Sequence, residues 1–125
     1  MKKTGLLNAE LSAALARQGH GDLIVIADAG LPVPPGVPCI DLAVTLGVPR
    51  FIDVLDVVME EMVVEQAFAA EEATGDMREI LAAHHVTLWL PHEIFKKRSA
   101  SARCIVRTGE ATPYANIGLV SGVPF

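Results

Sequence analysis

The run LIVIA, residues Leu23–Ala27, is the stretch that most constrains the fold of this chain. It is short, rich in β-branched side chains and apolar throughout. Because successive side chains of a strand point to opposite faces, a strand that is apolar on both faces must be covered on both sides. The run therefore predicts a buried strand in a sheet that carries a further layer on each face.

Short helices and short strands alternate along the rest of the chain. Asn8 is a suitable N-cap for a helix of about ten residues that Gly19 would end in a left-handed turn. From Phe51 to Met62, apolar residues recur at helical spacing. Further strands are expected at Ile40–Val44, Val86–Leu90, Cys104–Arg107 and Asn116–Val120, and further helices at Asp76–Ala83 and His92–Ser99. From Glu61 to Glu72 the signal is mixed: apolar alternation from Met62 favours a strand that ends near Ala70, whereas AFAAEEA has the composition of a helix. This alternation predicts one domain, residues 1–125, of the α/β class: a three-layer α/β/α arrangement around a mixed, mostly parallel sheet.

A proline-rich segment follows the first strand. AGLPVPPGVP has four prolines and two glycines in ten residues, so it can form neither a helix nor a central strand. Asp28 stands between the strand and this stiff loop. Ligands of open α/β sheets gather at the carboxyl ends of strands, which is where the sequence places this carboxylate.

Composition limits the classes of function. Hydrophobic residues make up 51% of the chain and the mean hydropathy is +0.40, which suggests that some apolar surface covers subunit interfaces. A transmembrane helix needs about 18 consecutive apolar residues, and no run here approaches that length, so we expect a soluble protein without a membrane partner. The formal charge of -5 and the absence of a basic run argue against nucleic acid as a partner.

The N-terminus and the cysteines indicate a reducing compartment. Asn8 and Glu10 interrupt the apolar run that a signal peptide would need, so the start of the chain is interpreted as cytoplasmic. Cys39 and Cys104 form neither a CxxC pattern nor a disulfide framework, and we expect both to be reduced thiols.

His20 and Asp28 each have a structural and a functional interpretation. A histidine after a helix commonly interacts with the last carbonyls of that helix. Flanking Gly19 and Gly21 also leave the imidazole uncrowded, and a histidine can accept and donate a proton near neutral pH. Asp28 could open the loop as an Asx turn, orient a histidine or bind sugar hydroxyls. The residues alone leave these alternatives open.

Two later segments carry further polar groups. His92 follows a proline at a predicted helix start, with Lys96 one turn later on the same face. Tyr114 and Asn116 are two residues apart, so in an extended segment both side chains would leave the same face, with Ala115 on the other. A phenol and a carboxamide side by side would suit a polyol, although an ordinary turn and strand remain an alternative.

Metal and nucleotide sites are not expected. Adjacent His84 and His85 diverge on a helix or a strand, so we place them on the surface, and no pair of histidines has the i, i+4 spacing of a metal site. The glycine patterns GHGD and SGVP match neither GxGxxG nor the P-loop. No cofactor is therefore predicted.

Three stretches together carry a resemblance to a known family. GHGDLIVIADAGLPVP, IDLAVTLGVPRF and GEATPYANI, in this order, resemble the D-ribose pyranase family, cytoplasmic proteins of ribose-uptake operons related to the fucose mutarotases. The similarity spans most of the chain. The DAGLP sequence favours the ribose branch over the fucose branch.

The resemblance implies an isomerase that interconverts the β-pyranose and β-furanose forms of D-ribose. It implies that His20, in the GH motif, is the catalytic proton donor. The residues it implies for sugar binding are Asp28 of DAGLP, His92 of PHEIFKK, and Tyr114 and Asn116 of PYAN. It further implies a homo-oligomer, commonly a decamer of two pentameric rings, with active sites between neighbouring subunits.

The length of the first strand supports the expectation that active sites lie between neighbouring subunits. A strand of five residues separates His20 from Asp28 by some 15–20 Å along the chain, so we expect the site to be completed between subunits. Two alternatives use the same polar groups: a non-catalytic sugar-binding or regulatory module of a transport system, and a mutarotase for fucose or another sugar.

Overall fold

The computed structural model describes residues 1–125 and contains every predicted element. The helices are α1 Ala9–Ala16, α2 Phe51–Glu61, α3 Gly75–Ala83 and α4 His92–Ser99. The strands are β1 Leu23–Ala27, β2 Cys39–Asp41, β3 Val64–Ala70, β4 Val86–Leu90, β5 Cys104–Arg107 and β6 Ile117–Ser121. Strand β2 is shorter than predicted because the Asp41 carboxylate accepts the Ala43 N–H at 3.1 Å and turns the chain away from the sheet.

The end of α1 differs from the sequence-based expectation. Asn8 is the N-cap, and its side chain accepts the Leu11 N–H as predicted. The helix ends earlier than expected, however, with Arg17 as its C-cap, and the left-handed residue is Gly21, with φ of +83°, rather than Gly19. Gly19 lies instead in a turn in which its N–H donates to the Asp22 carboxylate at 2.8 Å.

The sheet is mixed and mostly parallel, as predicted. Its strand order is β2-β5-β1-β6-β3-β4. The pairs β2 with β5, β1 with β5 and β3 with β4 are parallel, whereas β6 is antiparallel to both of its neighbours. All five residues of β1 are buried, which agrees with its apolar sequence.

Hydrophobic layers cover both faces of the sheet, which confirms the three-layer arrangement. On one face, helices α1, α2 and α3 contribute Leu11, Leu55 and Leu81 to one buried cluster that also contains Ile24 of β1. The other face is covered by α4 and the proline-rich loop: Phe95 and Leu31 pack with Val25 and Phe68. The ring centroids of Phe68 and Phe95 are 5.3 Å apart.

Strand direction decides where the loops lie. In the sheet, Ala27 pairs with Arg107 and Ala70 with Leu90, so β1, β5, β3 and β4 all finish at one end. Because β6 runs the other way, its first residue, Ile117, lies at this same end. We call it the carboxyl end of the sheet, and the opposite end, where β1 and β3 begin, the amino end.

Candidate functional site

Asp28 and Asn116 form a closed hydrogen-bonded pair at the carboxyl end of the sheet. The Asp28 N–H donates to Asn116 Oδ1, and Asn116 Nδ2 donates to Asp28 Oδ2, both at 2.9 Å. The Gly30 N–H donates to the other oxygen, Asp28 Oδ1, at 2.9 Å, so the expected Asx turn is present. Asn116 is fully buried, whereas Asp28 is half-buried. The pair therefore presents a carboxylate of fixed orientation to the solvent side.

His92 and Tyr114 form a second pair at this end. Their ring centroids are 5.1 Å apart with the planes at 77°, an edge-to-face arrangement. His92 is the first residue of α4, and its N–H donates to both carboxylate oxygens of Glu72, at 2.8 and 3.0 Å. His92 Nδ1 is buried and has no hydrogen-bond partner. Glu72 thus fixes the backbone at the start of α4, and the His92 ring packs against Tyr114.

The backbone at Tyr114 contradicts the expectation of an extended segment. Tyr114 has φ of +62° and lies in a turn, so Tyr114 and Asn116 do not leave one face of a strand. Tyr114 turns toward His92 and Asn116 turns toward Asp28, with fully buried Ala115 between them. A positive φ is uncommon for an aromatic residue, and such conformations cluster at functional sites.

Glu110 joins the segments around the site, and sequence reasoning missed it. Its carboxylate accepts the Phe51 N–H at 3.0 Å and the Thr112 hydroxyl at 2.8 Å. Its carbonyl oxygen accepts the Ala29 N–H at 2.9 Å. Burial by itself raises the pKa of Glu110, but the hydrogen bonds from Phe51 and Thr112 outweigh burial, and the pKa lies below its ordinary value. Glu110 thus ties the Asp28 loop, the start of α2 and the turn before Tyr114 together.

An open cleft of about 480 Å³ lies beside Asp28. Its walls include Gly30, Leu46, Glu110 and Pro113, and its size is within the usual range of small-molecule sites. A larger groove of about 610 Å³ lies between α1 and strands β2 and β5. That groove contains none of the predicted site residues, whereas Asp28 lines the smaller cleft, which makes the smaller cleft the candidate site.

His20 lies apart from the other four predicted site residues within one chain. It precedes β1 at the amino end of the sheet, where the Gly21 N–H donates to the Ser121 carbonyl at 2.8 Å. Its side chain is 61% exposed, and its Nε2 is 2.8 Å from Glu65 Oε2. The structure therefore gathers Asp28, His92, Tyr114 and Asn116 at one end of the sheet and places His20 at the other.

The remaining histidines and the cysteines lie away from the cleft. His85 is exposed as expected, but His84 is half-buried and hydrogen-bonded to Asp56 and to the Ile80 carbonyl, so its assignment to the surface was only partly right. Cys39 and Cys104 are free thiols, and burial, with Cys39 nearby, raises the pKa of Cys104 to about 11.

No three His, Cys, Asp or Glu side chains form a group that could hold a metal ion. None of the helices has the length and apolar character needed to cross a membrane.

The fold is that of a three-layer α/β protein with an open cleft beside Asp28 at the carboxyl end of its sheet. Over residues 1–124 the chain matches the sequence model of the RbsD / FucU transport protein family. The chain belongs to this family.

Similar proteins match along the whole chain. A protein of Bacillus cytotoxicus named D-ribose pyranase is 53% identical, and one of Pseudomonas putida with the same name is 52% identical; both alignments cover 100% of this chain and of the relative. The structure of Bacillus subtilis RbsD complexed with D-ribose superimposes with a TM-score of 0.93 at 46% identity, covering 100% of both chains.

Proposed function

We propose that this chain is a D-ribose pyranase, an isomerase that interconverts the β-pyranose and β-furanose forms of D-ribose. The observation that carries the proposal is the full-length similarity, at about half identity, to proteins of that name. The ribose-complexed Bacillus subtilis structure supports the same sugar. No segment of this chain lies outside the matched region, so the cleft and all five expected site residues fall within it.

The reaction needs only proton transfers. The cyclic hemiacetal opens when the anomeric hydroxyl loses a proton and the ring oxygen gains one, and it closes again through a different hydroxyl. Positioned acid and base groups contribute about 10²–10⁴-fold to such steps, which is sufficient for a reaction that proceeds slowly in water. His20 is the residue suited to this proton transfer, because a histidine both accepts and donates protons near neutral pH.

The four residues at the carboxyl end are suited to hold the sugar. The Asp28 carboxylate keeps lone pairs free for sugar hydroxyls, since each oxygen accepts one protein hydrogen bond. His92 and Tyr114, whose rings pack edge to face at this carboxyl end, are the further residues that we assign to sugar contacts. Buried Asn116 contributes mainly by fixing Asp28.

The separation of His20 from this cluster supports a site shared by two subunits. A head-to-tail contact sets the amino end of one chain against the carboxyl end of the next, and such contacts form a ring when the rotation between neighbours closes. Both ends carry exposed apolar residues that a neighbour could cover: Val44, Leu46 and Val48 at the carboxyl end, and Val63, Val123 and Phe125 at the amino end. We infer a cytoplasmic homo-oligomer, a decamer of two pentameric rings.

Saturation-transfer NMR on D-ribose tests the function directly. The protein should speed pyranose–furanose exchange above the background rate, and His20→Ala should return exchange to background while the oligomer persists in gel filtration. His85→Asn is the matched control, because it removes an exposed histidine at a backbone position, φ of +64°, that asparagine tolerates. Binding of ribose without faster exchange would instead indicate a non-catalytic sugar-binding module. A panel of sugars that includes fucose tests the preference for ribose.

A further inference from the structure

We propose that Glu65 is a positioning residue for His20, which it holds so that Nδ1 of the imidazole exchanges protons with the sugar. The inference deepens the proposed function and rests on it. It starts from the contact at the amino end of the sheet, where His20 Nε2 and Glu65 Oε2 are 2.8 Å apart.

The sheet brings these two residues together from distant parts of the chain. Ser121, the last residue of β6, accepts the Gly21 N–H on one side and pairs with Val64 of β3 on the other. The loop that carries His20 and the start of β3 therefore meet across the end of β6. A separation of 45 residues along the chain hides this proximity from sequence patterns.

An irregularity in β3 falls at Glu65. Val64 pairs with Ser121 and Gln66 with Val120, so Glu65 is the extra residue of a bulge between two successive partners on β6. Bulges bend the strand and redirect a side chain, and they are common beside active sites. The local backbone is thus a second observation, independent of the contact itself, that marks Glu65.

The contact with Glu65 determines which imidazole nitrogen of His20 carries the proton. A carboxylate only accepts hydrogen bonds, so Nε2 of His20 must carry the proton in this contact. A neutral imidazole has one donor and one acceptor, which leaves the lone pair on Nδ1. When His20 becomes an imidazolium, the Glu65 carboxylate lies beside the new positive charge and stabilises it, as the carboxylate of a catalytic triad does.

Stability alone does not account for the pair. Its side chains are 61% and 46% exposed, and exposed ion pairs contribute little to the free energy of unfolding. A neighbouring subunit that covers this end of the sheet would exclude water and strengthen the contact. Orientation of the base is therefore the role that the geometry supports.

In the proposed ring opening, His20 releases the same proton that it takes up. Nδ1 takes the proton of the anomeric hydroxyl as the bond between C1 and the ring oxygen breaks, and the electron pair of that bond stays on the ring oxygen. The proton then passes from Nδ1 to that oxygen. Closure reverses these events with the 4-hydroxyl as the attacking group, so the imidazole returns to its starting state.

Exchange NMR on Glu65→Gln tests the proposal in the intact oligomer. We expect kcat for ribose exchange to fall by about tenfold or more, within the range that acid–base groups contribute, with KM little changed. The ¹⁵N spectrum of histidine-labelled protein should show neutral His20 changing from a single Nε2–H tautomer to a mixture. Glu60→Gln, which removes an exposed carboxylate of α2, is the matched control and should leave both measurements unchanged.

Two results would overturn the assignment. One is a wild-type kcat in Glu65→Gln. The other is a loss of kcat that accompanies dissociation of the oligomer while the His20 tautomer stays unchanged, which would assign Glu65 to assembly. Failure of the proposed function has a different signature: wild-type protein would leave ribose exchange at background, whereas the ¹⁵N spectra would still report on the contact.

Discussion

Asp28 and Asn116 bind each other through two reciprocal hydrogen bonds, although 88 residues separate them in the chain. The contact exists because β1 ends where its antiparallel neighbour β6 begins. Asn116 is buried and uses both its oxygen and its nitrogen on Asp28. The amide therefore sets the direction in which the carboxylate faces the cleft.

Replacing Asn116 by alanine should damage both the site and the fold. Asn116→Ala leaves the Asp28 N–H without its acceptor, so the free energy of unfolding should fall by about 1–3 kcal/mol in urea denaturation. Ribose affinity should fall as well, because the carboxylate loses its fixed direction. Asn8→Ala is the control: loss of the α1 N-cap costs about 0.5–2 kcal/mol far from the cleft and should leave affinity unchanged. Equal affinity losses in the two variants would contradict a specific role for Asn116.

Glu72 should influence the sugar site through His92. Glu72→Ala removes the acceptor of the His92 N–H at the start of α4, where Pro91 supplies no side-chain cap. We expect KM for ribose exchange to rise more than kcat falls, together with a loss of about 0.5–2 kcal/mol in stability, as for other helix caps. The neighbouring exposed carboxylate gives the comparison variant, Glu71→Ala. An unchanged KM in Glu72→Ala would show that His92 keeps its place without this cap.

Glu110 predicts a pH dependence of stability. The pKa of Glu110 is lower in the folded chain than its ordinary value of 4.5. The ionised carboxylate therefore adds to the free energy of unfolding fully above pH 4.5, and this stabilisation is lost as the pH falls through the folded pKa. The difference in Tm between wild type and Glu110→Gln should therefore be largest at neutral pH and shrink below about pH 4.5. Calorimetry from pH 7 to pH 3 measures it, with Glu79→Gln, an exposed carboxylate of α3, as the control. A difference that stays constant over this range would refute the linkage.

The helices and strands follow from local patterns, which is why the sequence predicts them. Strand β1 is apolar on both faces, and the apolar residues of α2 recur at helical spacing. Both patterns can be recognised within the segment itself, without knowledge of what it contacts. Contacts between distant segments leave no such pattern: Glu72 reaches His92 over 20 residues, and Glu110 reaches Phe51 over 59. Each of these glutamates resembles any surface carboxylate in the sequence.

Sequence rules also gave wrong predictions of the backbone conformation in two turns that contain glycine or proline. The left-handed residue after α1 is Gly21 because Asp22 binds the Gly19 N–H, which a glycine-based C-cap rule does not anticipate. Tyr114 adopts a positive φ after Pro113, although strand alternation assumed an extended chain there. In both places a nearby side chain or turn, rather than intrinsic propensity, decides the conformation.

Complementation between two inactive variants tests the shared site. His20→Ala and Asp28→Asn should each lower ribose exchange to near background, because each removes one half of every site. Co-expressed chains that assemble at random into head-to-tail rings should recover activity, since about a quarter of the contacts between neighbours combine an intact His20 with an intact Asp28. The comparison sample is an equal mixture of the two separately assembled variants, with no subunit exchange, which should stay inactive. No recovery in oligomers shown by mass spectrometry to contain both chains would mean that His20 and Asp28 of different subunits do not form one site.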